Sequence, residues 1–106
     1  MEIRVTGRHV DVSEEARNYI EEKAAKLQRF YDRIHWVEVV LDHESDQFSI
    51  EMIAHADRKQ TFVASEAGTD TFAIVDSLLD KLERQLIKHK EKNRNHKHDG
   101  KSNLEL

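Results

Sequence analysis

Ile34-His-Trp-Val-Glu-Val-Val-Leu41, Phe48-Ser-Ile-Glu-Met-Ile-Ala54 and Thr61-Phe-Val-Ala64 occupy the middle of a 106-residue chain. In the second run Phe48, Ile50, Met52 and Ala54 alternate with Ser49, Glu51 and Ile53, the two-residue period of a strand. The first run holds Trp36, Val37, Val39 and Val40, residue types that suit a pleated surface. The connections Asp42–Gln47 and Ala56–Lys59 are polar and short, so the three runs read as an antiparallel meander. Trp36 and the phenylalanines fall in core-like positions of this pattern.

Upstream, Met1, Ile3 and Val5 alternate with Glu2, Arg4 and Thr6, and Gly7 closes the run as a further strand. Ser13 is placed to cap a helix, with Glu14 and Glu15 favourable to its dipole. Ala16, Tyr19, Ile20, Lys23, Ala24, Leu27 and Phe30 then recur at three- and four-residue spacing, which predicts one amphipathic helix of about four turns. Downstream of Gly68, Thr69 or Asp70 can cap a last helix whose apolar positions are Phe72, Val75, Leu79, Leu82 and Leu86. The order is β-α-β-β-β-α. A helical connection makes the first two strands parallel through a right-handed crossover, and two helices on one face of a four-stranded mixed sheet make a two-layer α+β sandwich. Residues 1–94 form the domain, and the aperiodic stretch 95–106 is expected to be a disordered tail.

Composition removes several function classes. The chain contains no cysteine, which excludes thiol nucleophiles, disulfide scaffolds, iron–sulfur clusters and cysteine-ligated zinc. No apolar run approaches the ~20 residues of a membrane span, and Met1-Glu-Ile-Arg-Val5 lacks the features of a signal peptide. The expected location is the cytoplasm, with no membrane partner.

The formal charge of −4 conceals a division. Residues 1–80 carry a net −8, whereas residues 81–98 carry +5. A polyanion responds to the local field rather than to distant screened charge. In Asp80-Lys-Leu-Glu-Arg-Gln-Leu-Ile-Lys-His-Lys-Glu-Lys92, ~100° per residue gathers Lys81, Arg84, Lys88 and Lys92 away from the stripe Val75, Leu79, Leu82 and Leu86. Lys90, Arg94 and Lys97 continue the charge where apolar docking residues run out. The first helix offers a shorter row of Lys26, Arg29 and Arg33, with Lys23 close by. Such rows suit contact with phosphates, although lysines near a helix C-terminus also favour the dipole and can pair with Glu83 or Glu91. With no ribonucleoprotein-type aromatic motif, contact to backbone and shape is expected rather than base readout.

Seven histidines are scattered apart from His96 and His98, so no metal site is expected. His89 belongs with the basic surface. Asp70 and Asp76 have no nucleophile or oxyanion donor converging on them, and Gly7, Gly68 and Gly100 form no phosphate loop. Neither catalytic residues nor a cofactor are expected, and the chain is not read as an enzyme.

Ile3-Arg-Val-Thr-Gly7, Ala25-Lys-Leu27, Phe30-Tyr-Asp-Arg-Ile34, Val37-Glu-Val-Val-Leu41 and especially Asp70-Thr-Phe-Ala-Ile-Val-Asp76 with Asp80–Leu86 and Lys88–Lys92 resemble the bacterial ribosome hibernation promoting factors. The resemblance runs from about residue 1 to 94. It implies a fold similar to a double-stranded RNA-binding domain. It also implies a translation inhibitor bound to ribosomal RNA in the decoding channel of the small ribosomal subunit, where messenger RNA and transfer RNA would otherwise sit. Binding through basic helix faces is carried onto Lys81, Arg84, Lys88, Lys90, Lys92 and Arg94, and onto Lys23, Lys26 and Arg29. Lacking the long members' C-terminal dimerisation domain, the chain is expected to act as a short member, inactivating single ribosomes or assisting a second hibernation factor. The competing reading is a protein-interaction module of the sigma-factor modulation type, with the acidic sheet facing a protein. An RNA-modifying enzyme ranks third.

Overall fold

In the computed structural model, which describes residues 1–102 and side chains through Lys92, the element order matches that pattern. Strand β1 (Glu2–Arg8) leads to α1 (Glu14–Ala24) and a 3-10 turn (Ala25–Arg29). Strands β2 (Ile34–Glu44), β3 (Gln47–Ala56) and β4 (Thr61–Gly68) follow, with a short 3-10 turn at Asp57–Lys59, and α2 (Thr71–Ser102) completes the fold. The sheet order is β1-β2-β3-β4. β1 runs parallel to β2, whereas β2–β3 and β3–β4 are antiparallel. The α+β sandwich is therefore as the sequence predicts.

Alternation sets the layers. Val5, Val37, Val39, Leu41, Ile50, Met52, Ala54, Phe62 and Ala64 point under the helices and are buried. From the helices Ile20, Ala24, Leu27, Val75, Leu78, Leu82 and Leu86 meet them, each at most 1% exposed. Burying these side chains stabilises the fold by ~25 cal/mol per Å² of apolar surface removed from water. The α2 stripe differs in detail from the expected one. Ile74 and Leu78 are buried, Leu79 is half-buried, and Phe72 is 43% exposed. Phe72 instead meets Tyr19 edge-on at 4.8 Å between ring centroids. The stripe drifts because α2 crosses β4 as well as α1, so the face it buries is wider than one seam.

Local chemistry fixes the helix starts. Ser13 Oγ accepts from Ala16 N–H at 3.1 Å. Asp70, not Thr69, caps α2, accepting from Phe72 N–H at 3.0 Å. The first helix is not one uniform stretch of four turns: α-geometry ends at Ala24 and tightens to 3-10 over Ala25–Arg29. Phe30 N–H and Tyr31 N–H then both bond Leu27 C=O, satisfying a terminal carbonyl. Gly7 lies within β1 rather than closing it, and the returning loop presses on it. A Cβ there would stand 2.2 Å from Val10 O, so only glycine fits.

Two core assignments change. Trp36 sits on the open face of the sheet, not under the helices, because a register shift between Ile34 and Trp36 gives His35 its own place and turns the alternation over. His89 is half-buried against Tyr31 and Phe62, with ring centroids 5.4 and 5.2 Å away, instead of joining the basic surface. Helix α2 runs past Arg94 to Ser102. The side chains of Arg94 and Lys97 lie outside the described residues, as do those of the expected tail, and residues 103–106 lie outside them entirely.

Candidate RNA-binding surface

The helix layer carries its cations in two rows. On α2, Arg84, Lys88 and Lys92 follow one another at four-residue spacing and are exposed. Among the described residues none of them, nor Lys90, takes part in an ion pair. On the α1 side, Lys23, Lys26 and Arg29 line one wall of the interhelical groove. Side chains three apart eclipse one another in 3-10 geometry, so Lys26 and Arg29 are held in line. Arg33, assigned to the same face from the sequence, lies beyond the 3-10 turn, and its carbonyl accepts from Asp57 N–H.

Lys81 is placed differently from its neighbours. Its Nζ pairs with the Glu66 carboxylate and donates to Ser65 C=O at 3.2 Å. One turn on, Gln85 Nε2 donates to Val63 C=O at 2.9 Å. Both side chains tie α2 to the outer edge of β4, and on the other side of the sheet Arg17 ties α1 to β1 by donating to Val5 C=O at 3.1 Å. Edge carbonyls covered in this way are closed to strand addition. The Lys81 ammonium, by hydrogen bond and by charge, holds the Glu66 carboxyl below the usual carboxylate range.

An acidic row, which the sequence reading passed over, separates the two basic rows. Asp76, Asp80 and Glu83 line the groove of about 270 Å³ opposite Lys23, Lys26 and Arg29, over a floor of Leu27, Phe30 and Leu79. Their 4-3 spacing is the signal that would have found them. Tyr19 OH donates to Asp76 Oδ1 at 2.7 Å, which raises the phenol pKa and locks α1 to α2. The positive strip is therefore divided, and the α2 row stands as a separate cationic ridge.

Among the described residues the histidines are each engaged by neighbours rather than gathered. His9 meets Asp42 at 3.0 Å, His35 pairs with Asp57, His43 stacks on Phe48 and His55 on Trp36. Among the described residues no three His, Cys, Asp or Glu converge as a metal site. Among the described residues no helix is long and apolar enough to cross a membrane.

Comparison with known proteins gives this geometry a family. Residues 3–94 match the profile described as Sigma 54 modulation protein / S30EA ribosomal protein. The ribosome hibernation promoting factor of Azotobacter vinelandii is 41% identical over 92 residues, covering 87% of this chain and 85% of the relative. That of Escherichia coli (strain K12) is 38% identical over 96 residues, covering 91% of this chain and all of the relative. Among solved structures, a ribosomal subunit interface protein from Coxiella burnetii superposes with a TM-score of 0.79 at 28% identity, covering 86% of this chain and 99% of that one. The N-terminal domain of Thermus thermophilus Protein Y gives a TM-score of 0.76 at 27% identity, covering 84% and 99%. By sequence and by fold, the chain belongs to the Sigma 54 modulation protein / S30EA ribosomal protein family.

Proposed function

We propose that this protein binds ribosomes and holds them idle by occupying the decoding channel of the small subunit, where it excludes messenger RNA and transfer RNA. The observation that carries this reading is the ridge Arg84, Lys88 and Lys92. These are three exposed cations without ion-pair partners among the described residues, on a chain whose relatives are named ribosome hibernation promoting factors. Each phosphate neutralised there releases condensed counterions, so the ridge supplies affinity without reading sequence. Lys90 and Arg94 extend the contact along α2, and Lys23, Lys26 and Arg29 give a second anchor across the groove. Lys81 contributes by holding α2 on β4, so that the ridge is presented at a fixed angle.

The mechanism is steric occlusion, with no bond made or broken, in the cytoplasm. A second hibernation factor remains a partner in this proposal, for joining inactive ribosomes in pairs. Sucrose-gradient sedimentation with purified ribosomes tests the reading. The wild-type protein comigrates with ribosomes and blocks binding of a messenger RNA, whereas Arg84→Glu/Lys88→Glu/Lys92→Glu stays at the top of the gradient. Equal comigration of both would overturn the ridge assignment.

A further inference from the structure

The side of the sheet away from the helices has the opposite chemistry. By strand register, Glu2, Glu38, Asp42, Glu44 and Glu51 point out from it, against only Arg4 and Arg8. Two of the acids are neutralised in place: Glu2 holds Arg4 at 2.9 Å, and Asp42 takes Arg8 at 3.5 Å and His9 at 3.0 Å. Glu51 and Glu44 have no ion pair among the described residues. Glu38 stands opposite Arg4, whose guanidinium feels its charge but bonds Glu2, and its own nearest pair is His55 Nε2 at 3.7 Å, beyond hydrogen-bond range, where that nitrogen has no hydrogen-bond partner. Between these carboxylates lies aliphatic surface. Ile53 stands opposite both Glu38 and Val63, Val40 stands opposite Glu51, and Val63 is 45% exposed.

An RNA strand is a poor occupant of this face. Its phosphates would meet a net negative field. Its bases would find the one large aromatic already engaged, because Trp36 stacks on His55 of β3 at 4.0 Å and carries the Arg4 guanidinium of β1 at 4.4 Å. A cationic protein segment fits in both respects. Lysine and arginine stems lie along Val40, Ile53 and Val63, and their heads reach Glu38 and Glu51.

We propose that the open sheet face docks a lysine- and arginine-rich protein segment, so that the molecule grips RNA with its helices and a basic protein with its sheet. The inference deepens the ribosome reading, since proteins seated on RNA carry such cationic segments. Glu38 and Glu51 are the recognition pair, and Ile53 with Val63 is the apolar rest between them.

A photo-crosslinking residue at Val63 in the full chain, bound to purified ribosomes, is the test. The expected adduct is protease-sensitive. Glu38→Gln/Glu51→Gln lowers its yield by about fivefold while the protein still sediments with ribosomes. A nuclease-sensitive adduct, no adduct on a sedimenting complex, or a yield unchanged in the double variant overturns the proposal. Loss of sedimentation by the labelled wild type points instead to failure of the ribosome reading. The free protein keeps the question answerable in that case. Titration with a synthetic lysine–arginine peptide should move the amide resonances of Glu38, Glu51 and Val63, and the double variant should abolish the movement. Shifts confined to Asp76, Asp80 and Glu83, or none, overturn it.

Discussion

On the sheet face, Asp42 is held by Arg8 and His9, and Glu2 binds Arg4 two residues away. On the outer face of α2, Arg84, Lys88 and Lys92 have no such partners among the described residues. Charge on the first face is partly spent inside the molecule, tying β1 and the loop after it to β2. Charge on the second is left for something outside. The −4 total averages these two arrangements and describes neither. Because exposed pairs contribute only ~0–1 kcal/mol to stability, while phosphate contacts add through counterion release, the two faces should respond to different measurements.

The largest effect should come from the unpaired ridge. Arg84→Glu/Lys88→Glu/Lys92→Glu should weaken ribosome binding by more than about 100-fold at low salt. Thermal unfolding should stay near the wild-type midpoint, since no described ion pair is lost. Raising salt from about 50 to about 200 mM should weaken wild-type binding by a comparable factor and leave the unfolding midpoint almost unmoved. A salt-insensitive affinity would mean that the ridge is ordinary solvated surface.

Lys81 lies at the boundary between the two arrangements, being a ridge residue by sequence and an internal tie by geometry. Arg84→Ala should lower affinity by about tenfold with stability unchanged. Lys81→Ala should change affinity by no more than about twofold, because an exposed intramolecular pair adds little net energy, while slightly lowering the unfolding midpoint. Equal losses of affinity in the two variants would return Lys81 to the RNA-contacting row.

Local signals made most of the fold legible. Alternation in Phe48–Ala54, the Ser13 cap and the spacing of Val75, Leu82 and Leu86 depend on neighbours within one or two turns, and all appear in the structure. The exposed ridge was legible for the same reason, being a property of one helix. What escaped depends on contacts distant in sequence. Lys81 meets Glu66 only because α2 lies along β4, and nothing near either residue announces the other. His89 reaches Tyr31 and Phe62 across three elements. Trp36 belonged to the wrong face because one bulged residue, His35, reverses every side chain that follows it. The acidic row Asp76, Asp80 and Glu83 was visible as spacing, but its importance came from what α1 sets opposite.

The smallest effect should be in acid, and it should appear on one face and not on the other. Hydrogen bonding by His9 leads the causes that hold the Asp42 carboxyl below its ordinary range, with the His43 backbone N–H and the Arg8 charge adding and partial desolvation opposing. A carboxylate with a lowered folded-state pKa stabilises the fold fully above its unfolded value and loses that contribution as pH falls through the folded one. Stability should therefore decline below the ordinary carboxylate range. Asp42→Asn should flatten the decline, the Glu2 and Glu66 pairs supplying the rest. Arg84→Gln, on the other face, removes no partner of a described carboxylate and should leave the acid profile as it is. Urea unfolding followed at several pH values compares the three proteins directly. An identical slope for Asp42→Asn and wild type would show that the Asp42 pairs do not stabilise the fold, and the contrast between the faces would then rest on the ridge and on the Glu2–Arg4 pair.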